Sequence, residues 1–252
     1  LFDHIVLSIN LYKFLRGNKR FRPDKVFLGY PPIESSFILI KWAKKYNIPI
    51  ILDVKDNWPE NFIEAFPNFS KKLGRLLLFP YFRLTAYIFN NVDAISSITN
   101  SFISWIKLYT KNPILNSKFF VSPLVRKKIK FNQKIRKESI QFWKKKGINV
   151  LESKHFSFVG SLSNSFDFNF ILDIANFFKS NHPNYIFIIC GTGDKYKELK
   201  IIFNNIPNIL LLGEIDKYKS SILIKNSIAT LAPYLNNPNF KNSIPNKVIE
   251  SL

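Results

Sequence analysis

Two short segments combine glycine, lysine and acidic residues at spacings that suit the binding of an anion. The segment 191–194, Gly-Thr-Gly-Asp, follows an apolar run and opens a helical pattern, where backbone N–H groups can hold a phosphate. In the segment 245–250, Pro245 stands where a helix would start, and Lys247 lies in its first turn. A lysine there works against the helix dipole, a cost that a bound diphosphate would offset. Glu250 could accept two hydroxyl groups, or simply form an exposed ion pair with Lys247.

A third segment, 53–60, places carboxylates beside a tryptophan and a proline directly after an apolar strand pattern. Trp58 could stack on a sugar ring while the neighbouring acids accept its hydroxyl groups. The same residues also suit a helix start, with Asp56 or Asn57 as the cap and Pro59 in the first turn. Both interpretations can hold together.

Strand and helix patterns alternate through the sequence, which favours parallel sheets with helices on both faces. Right-handed crossovers bring the C-terminal ends of such strands to one edge, where α/β proteins bind ligands. Three predicted strands end in Gly160, Gly191 and Gly213, and Gly193 lies beside them, from only eight glycines in the chain. Each glycine alone could merely end its strand, but the set predicts a ligand-binding edge.

The predicted elements fall into two groups that are separated by a basic stretch. The predicted strands are Lys25–Tyr30, Ile48–Val54, Val92–Ile98, Lys118–Val121, Phe156–Val159, Tyr185–Cys190, Ile209–Leu212 and Ile228–Ala232. The predicted helices are Glu34–Tyr46, Ser101–Tyr109, Phe168–Ser180, Lys195–Phe203, Lys217–Lys225 and one that begins at Asn246.

The charge of the chain is concentrated in its first part. Of the formal net charge of +20, residues 1–150 carry +18 and residues 151–252 carry +2. The densest stretch, 126–146, has ten basic residues and one acid. Compositional drift in a chain rich in Lys, Asn, Ile and Phe would explain this, and so would a basic face toward anionic lipid or phosphate. We do not expect a nucleic-acid partner, because no helix-turn-helix, RNP-type or zinc-finger pattern is present.

Composition and hydropathy exclude several classes of protein. The 252 residues, 46% hydrophobic, suit one or two packed domains and not a disordered chain. A single cysteine excludes a disulfide framework, and three scattered histidines have no metal-ligand spacing, so we expect His155 to be structural. No apolar run is long enough to span a membrane. The segment Leu73–Phe89 reads as an amphipathic helix broken near Pro80, suited to the core or to a membrane interface.

The order of several motifs resembles family 4 of the glycosyltransferases. These motifs are DxxDxWPE, VDAISSIT, FVGSL, IICGTGD, ILLLGEI, APY and SIPNKVIESL, which together cover most of the chain from about Pro23 to Leu252. The resemblance implies the GT-B fold, with two Rossmann-like domains whose parallel sheets face a cleft. It also implies transfer of a sugar, with retention, from a nucleotide-diphosphate donor, without a cofactor or metal. The Asp-x-Trp-Pro-Glu and Pro-x-Lys-x-x-Glu pieces resemble the branch that acts on lipid-linked bacterial polysaccharide precursors.

The resemblance also implies roles for particular residues. Gly160 and Ser161 would lie near the donor phosphates, while Lys247, assigned as catalytic, would face the diphosphate. Asp56 would lie on the acceptor side as a second catalytic candidate. The nucleobase and ribose pocket would be lined by Gly191, Gly193, Glu214 and Ile215, and Glu250 would bind the ribose hydroxyls. The chain departs from the family pattern at Asn242, where a first glutamate is expected, and lacks a basic residue soon after FVGSL.

These implications predict a domain organisation and a location. We expect an acceptor-side domain at 1–125, a basic connector at 126–150 and a donor-binding domain at 151–252. Because the family's first strands and last helices have no counterpart in the sequence, we expect a fragment that is inactive alone. The enzyme would be cytoplasmic and peripheral to the inner face of the cell membrane, meeting an anionic surface and a lipid-linked or glycan acceptor. Two alternatives are a noncatalytic basic module that binds membrane or nucleic acid, and another GT-B enzyme such as a sugar-nucleotide epimerase.

Overall fold

The chain forms two compact units in a computed structural model. The first comprises Leu1–Leu124 with Asn237–Ile244, and the second comprises Val125–Asn236 with Pro245–Leu252. The structure describes residues 2–64, 66–111, 118–125, 129–236, 240 and 243–251. Each unit is described by itself below.

The first unit is built on a parallel sheet of four strands in the order β1-β2-β3-β4. The first two strands pair in parallel, and the helix between them, within residues 31–49, forms the crossover connection that a parallel pair requires. The strands are β1 (Val26–Tyr30), β2 (Ile50–Val54), β3 (Ala94–Ser97) and β4 (Phe119–Val121). The helices are α1 (Phe2–Gly17), α2 (Ile33–Lys45), α3 (Glu60–Glu64), α4 (Lys71–Leu77), α5 (Phe79–Asn90) and α6 (Asn100–Lys107), with a 3-10 turn at Asn68–Ser70.

The core of the first unit lies around strand β2. Ile50, Leu52 and Val54 are buried, and helices α2 and α5 contribute Ile40 and Phe89 to the same cluster. A strand that is buried on both faces carries a continuous apolar run, which is the pattern that predicts β2 from the sequence. The sheet thereby fixes the loop that follows Val54.

The second unit is built on another parallel sheet of four strands, in the order β7-β6-β5-β8. Its strands are β5 (Lys154–Val159), β6 (Tyr185–Cys190), β7 (Ile209–Leu212) and β8 (Ala229–Thr230). Its helices are α7 (Gln133–Lys145), α8 (Phe168–Asn181), α9 (Tyr196–Phe203), α10 (Lys217–Asn226) and α11 (Asn246–Ser251). Apolar clusters lie on both faces of the sheet, so the alternating pattern of the sequence correctly predicts an α/β fold with two parallel sheets.

Part of the predicted basic connector at 126–150 forms helix α7, which packs into the second unit. The side chain of Trp143 on α7 is fully buried, and its Nε1–H donates to the carbonyl of Lys219 on α10 at 3.1 Å. Ile140 and Phe142 pack against the same cluster. The charges of α7 therefore lie on the outer side of a helix whose apolar side is in the core.

The segment Leu73–Phe89 is divided between two environments. Helix α4 ends at Leu77, and helix α5 begins at Phe79, with Pro80 in its first turn, where the missing N–H is tolerated. Helix α5 buries Ile88 and Phe89 in the core, as core packing predicts, but α4 leaves its leucines exposed. No described helix is long and apolar enough to cross a membrane.

The cap of helix α10 gives a prediction on stability. Oδ1 of Asp216 accepts the N–H groups of Tyr218 and Lys219 at 2.9 Å, and Oδ2 pairs with Lys219 Nζ at 2.7 Å. Partial burial acts to raise the pKa of Asp216, but the hydrogen bonds from Lys219 and Tyr218 outweigh it and lower the pKa below 3.8. A lowered pKa means that the cap stabilises the fold above about pH 4 and loses this effect as the pH falls through the lowered pKa.

We therefore expect Asp216→Ala to reduce the free energy of unfolding by about 1 kcal/mol near pH 7. The difference from wild type should shrink as the pH falls through the lowered pKa of Asp216, which urea denaturation at several pH values would measure. Asp173→Ala, at an exposed site inside helix α8, is the matched control and should cost little. Equal losses in the two variants would contradict the cap.

Candidate functional site

Three strands of the second sheet end side by side at one edge. Val159 is paired with Cys190, and Cys190 with Leu212, so the residues that follow them are neighbours. The N–H of Gly160 donates to the carbonyl of Cys190 at 2.9 Å, and that of Gly191 to the carbonyl of Gly213 at 3.1 Å. The glycines at the predicted ligand-binding edge are therefore held together by the sheet itself.

Two of these glycines cannot be replaced without moving their surroundings. Gly160 and Gly191 have φ of 148° and 144°, a conformation that side-chain-bearing residues rarely adopt. A Cβ on Gly191 would overlap the carbonyl oxygen of Gly160, and a Cβ on Gly160 would overlap Nζ of Lys247. The three residues thus form an interlocked stack in which backbone and ammonium group approach closely.

The loops after β5 and β6 are fastened to each other. The N–H of Leu162 donates to the carbonyl of Thr192 at 2.8 Å, and the carbonyl of Leu162 accepts the N–H of Lys195 at 2.9 Å. The second loop leads directly into helix α9, whose first residue is Tyr196. The Gly-Thr-Gly-Asp segment therefore lies at a helix start, as the sequence predicts, with its backbone fixed by the neighbouring loop.

A cavity of about 470 Å³ opens at this edge of the sheet. It is large enough for part of a nucleotide and lies where open α/β sheets bind ligands. The structure brings six of the predicted site residues together in its lining, with Glu214 exposed at the rim. The lining residues are Val159, Gly160, Ser161, Cys190, Gly191, Thr192, Gly193, Glu214 and Ile215.

Lys247 lies beside this cavity, although it comes from helix α11, far along the chain. Its Nζ donates to the carbonyl of Val159 at 2.6 Å. The same ammonium group lies 3.9 Å from the ring centroid of Phe158 and 4.8 Å from that of Phe166. Cation–π attraction and the carbonyl hold the positive charge against Gly160, in position to meet an anion. Lys247 thus joins the glycine stack at the cavity.

Two further predictions concern residues of the same region that the structure describes less fully. Glu250 lies within helix α11, one turn after Lys247, but its side chain is outside the described part. Asn242, which stands where the family has a glutamate, is outside the described residues. The proposed contact of Glu250 with ribose therefore stays a prediction.

Cys190 lines the cavity but is not suited to nucleophilic chemistry. Its thiol is buried, and burial raises its pKa to about 12. The thiol is therefore neutral at physiological pH, and the thiolate is the reactive form of cysteine. Cys190 is best understood as a small apolar residue that lets the strand end pack closely.

The loop after β2 in the first unit is largely occupied by internal contacts. Asp53 accepts the hydroxyl of Ser96 at 2.7 Å and pairs with Lys55 at 2.9 Å. Asp56 is half-buried between β2 and α3 and also has interaction partners. Oδ1 of Asn57 is buried with no hydrogen-bond partner, so its side chain does not provide the expected helix cap. Asp56 remains the candidate for the acceptor side.

The aromatic and acidic residues of this loop serve packing more than the sequence suggested. The ring of Trp58 packs against Phe62 at 4.3 Å and against His4 at 5.1 Å between centroids. The carboxylate of Glu60 accepts Nε1–H of Trp105 at 2.9 Å and the hydroxyl of Tyr109. Stacking of Trp58 on a sugar would have to compete with these contacts. The loop is therefore rigidly attached to helices α1, α3 and α6.

The contacts of His155 are those of a structural residue. His155 is fully buried, with Nδ1 near the carbonyl of Ser153 and Nε2 near that of Leu223, as expected for a structural histidine. In the part of the chain that the structure describes, no three His, Cys, Asp or Glu side chains are grouped as metal ligands.

Sequence reasoning missed the residues that position Lys247. The ammonium group of Lys247 lies over the rings of Phe158 and Phe166 and donates to the carbonyl of Val159. The carbonyl of Leu162 accepts a hydrogen bond from the loop after β6. Aromatic residues at alternate positions in β5 indicate only a buried strand. Nothing in the local sequence indicates that one of them faces a lysine 89 positions later. Such a pairing is visible only in the folded chain.

Comparison with solved structures identifies the fold. The Anabaena protein HepE in complex with UDP is 10% identical, with a TM-score of 0.58, and the match covers 92% of this chain and 60% of HepE. An α,α-trehalose-phosphate synthase (UDP-forming) from Burkholderia vietnamiensis is 12% identical at a TM-score of 0.58, covering 90% and 54%. The catalytic domain of starch synthase IV from Arabidopsis thaliana, bound to ADP and acarbose, is 13% identical at 0.57, covering 92% and 56%.

The fold is GT-B. These neighbours are GT-B glycosyltransferases, and the two parallel α/β units of this chain match them. The chain spans a little more than half the length of each of the three. No protein-family model matches the sequence, and no curated protein matches it either. At identities this low the likeness establishes architecture, and function must be argued from the site.

Proposed function

We propose that the protein is a glycosyltransferase that takes its sugar from a nucleotide-diphosphate donor bound in the cavity of the second unit. The observation that carries this proposal is the stack of Gly191, Gly160 and Lys247 at the edge of the sheet. It offers closely approachable backbone, a fixed ammonium group and a helix start within one cavity. This combination suits a diphosphate better than a neutral ligand.

The chemistry follows from charge that develops on the departing diphosphate. As the bond between the sugar and the diphosphate breaks, negative charge grows on the bridging oxygen, and fixed donors that face it lower the barrier. Lys247 would supply the positive charge, with the backbone N–H groups of Ser161 and Gly193 as further donors. We propose that this arrangement works without a metal or cofactor. Retention of configuration and membership of family 4 are parts of the proposal.

The other cavity residues fit the nucleoside part of the donor. Ile215 is half-buried and gives an apolar surface for a base, while Gly191 and Gly193 leave room for it. The exposed carboxylate of Glu214 and that of Glu250 would accept ribose hydroxyls, since an ionised carboxylate is a strong acceptor. We propose a hexosyltransferase type of reaction as part of the same proposal.

The proposal for the acceptor is based on Asp56 in the first unit and on the positive charge of the chain. We propose that Asp56 faces a lipid-linked or polysaccharide acceptor, and that the enzyme works at the cytoplasmic surface of the cell membrane. The concentration of +18 in residues 1–150 supports an anionic surface as the partner, since each basic residue near anionic lipid contributes about 1 kcal/mol. The two units carry equal net charges of +10, because the basic stretch at 126–146 belongs to the second.

A panel of nucleotide sugars, read by thermal shift with the complete protein, tests the proposal. We expect one diphosphate sugar to raise the melting temperature strongly, and Glu250→Ala to weaken its binding about 10- to 100-fold, the cost of lost charged hydrogen bonds. Glu198→Ala is the control, because Glu198 is exposed and its one ion pair within the described part of the chain is with Lys195, at 3.6 Å across one helical turn. A noncatalytic basic module would give no shift with any nucleotide sugar.

A further inference from the structure

The first unit carries an exposed apolar surface that its fold does not use, the 69–79 patch. Five large side chains lie on the 3-10 turn, on α4 and at the start of α5. Their exposed fractions are 92% for Phe69, 57% for Leu73, 71% for Leu76, 63% for Leu77 and 55% for Phe79. Single exposed leucines are ordinary, but a contiguous group of this size marks an interaction surface.

The way helix α4 packs explains why these side chains face outward. Its buried residue is Gly74, which lies against the ring of Phe66, where an added Cβ would come within 3.1 Å. A helix that rests on its glycine brings its backbone close to the support. The larger residues on its other sides then point to solvent. Helix α4 therefore packs through its smallest residue, and its leucines are left available for contact with a partner.

Most of the charges around the patch are positive. Between Phe66 and Val92 the sequence has four basic residues and no acid. Lys71 pairs with Glu64 at 2.7 Å, whereas Lys72 and Arg75 are exposed and have no ion pair with any described residue. Apolar side chains that lie among unpaired cations match an interface of acyl chains below anionic headgroups.

Two other surfaces are weaker candidates for the same partner. Helix α7 has many cations, but its apolar side, including Trp143, is buried against α10. It therefore has few exposed apolar side chains that could enter a lipid bilayer. Helix α1 exposes more apolar residues than the patch, and cations follow it at Lys19, Arg20 and Arg22, but its exposed apolar residues lie on several sides of the helix and do not all form one face. The 69–79 patch combines both requirements.

We propose that the 69–79 patch docks on an anionic lipid bilayer, with Phe69, Leu73 and Leu76 inserted among the acyl chains. Lys72 and Arg75 bind the headgroup phosphates from the same surface. The proposal rests on the proposed function for the reason why this protein meets a membrane, but its geometry is independent of the donor cavity. It also relocates the membrane contact from the basic stretch at 126–146 to helix α4.

Co-sedimentation with vesicles tests the proposal directly. The vesicles are phosphatidylcholine alone or phosphatidylcholine with about 30% phosphatidylglycerol, a lipid composition that sets the negative surface potential. We expect binding to the anionic vesicles only, weakening as salt increases. Phe69→Ser with Leu76→Ser, and separately Lys72→Glu with Arg75→Glu, should each weaken binding about tenfold or more.

Matched controls separate the patch from general effects of charge and apolarity. Ile201→Ser removes an equally exposed apolar residue (73%) in the second unit and should leave binding unchanged. Lys134→Glu with Lys137→Glu makes the same charge change on α7 and should have a much smaller effect. Melting curves of all variants check folding, and nucleotide-sugar thermal shifts of the same samples report the donor site separately.

Three results would overturn the proposal. The first is wild-type protein that does not bind anionic vesicles. The second is binding that survives both patch variants and is lost in the α7 variant. The third is a concentration-dependent increase in mass, measured by sedimentation velocity, that the Phe69→Ser and Leu76→Ser changes abolish, because the patch would then bind a second copy of the chain. A normal thermal shift with a nucleotide sugar would leave the proposed function standing in each case.

Discussion

Replacing Gly191 by alanine is expected to destroy the cavity and to lower the free energy of unfolding by about 3 kcal/mol. A Cβ at this position overlaps the carbonyl oxygen of Gly160, which is backbone and cannot swing aside. The positive φ of 144° adds strain of about 1–3 kcal/mol for a residue with a side chain. Urea denaturation would measure the loss, and nucleotide-sugar binding should fall below detection.

Gly213→Ala is the matched control for this prediction. Gly213 follows the neighbouring strand at the same edge, but a Cβ there meets nothing within 4 Å and its φ is not positive. We expect a change in stability within about 1 kcal/mol and retention of nucleotide binding. If the two alanine variants behaved alike, the close packing of Gly191 on Gly160 would be wrong.

Removal of the ammonium group of Lys247 is the second large effect that we expect. Lys247→Met keeps the length and apolar stem of the side chain but removes the charge beside Gly160. Affinity for a nucleoside diphosphate should fall about 10- to 100-fold, the value of one or two charged hydrogen bonds. Turnover in the complete protein should fall further, because the charge on the departing diphosphate is largest in the transition state. Isothermal titration and initial rates would measure the two effects.

Lys225→Met separates this effect from a general loss of positive charge. Lys225 lies on helix α10 of the same unit, with its Nζ 5.4 Å from the ring centroid of Phe131, and does not line the cavity. Its replacement removes one cation and one cation–π contact but should leave diphosphate affinity unchanged. Equal losses in the two variants would indicate that only net charge matters, and would contradict the assigned role of Lys247.

The glycine-lined edge of the second sheet could be predicted from the sequence because its signals are local. Strands such as Tyr185–Cys190 are short apolar runs that end in glycine, and parallel topology alone brings their ends together. Parallel topology therefore predicts that Gly160 and Gly191 lie at the same edge of the sheet. Their interlocked packing could not be predicted, because it depends on positions of atoms and not on residue types.

Other features depend on contacts between distant parts of the chain. The basic stretch looked like a connector because its charges dominate its composition, yet Trp143 anchors it under α10. Trp58 looked like a sugar-stacking residue because it stands beside acids, yet it packs on Phe62 and His4. In both cases a large aromatic side chain makes a contact that sequence spacing does not indicate, Trp143 with Lys219 and Trp58 with His4.

The apolar segment Leu73–Phe89 shows a third kind of limit. Its periodicity fits either the core or a membrane surface, because both bury an apolar face. In the folded chain the apolar residues of α5 pack in the core, whereas those of α4 are exposed to solvent. Gly74 decides this division by letting α4 rest on Phe66. A single glycine is too weak a signal to predict such an outcome.

Amide hydrogen exchange with and without a saturating nucleoside diphosphate tests the central claim most directly. We expect the backbone amides of the three loops that line the cavity to exchange more slowly when UDP or ADP binds. These loops are at 160–163, 191–195 and 213–216, and the same slowing is expected around Lys247. Strands β1 to β4 of the first unit should exchange as before. Unchanged exchange in all three loops, with protection elsewhere or none at all, would contradict a donor site at this edge.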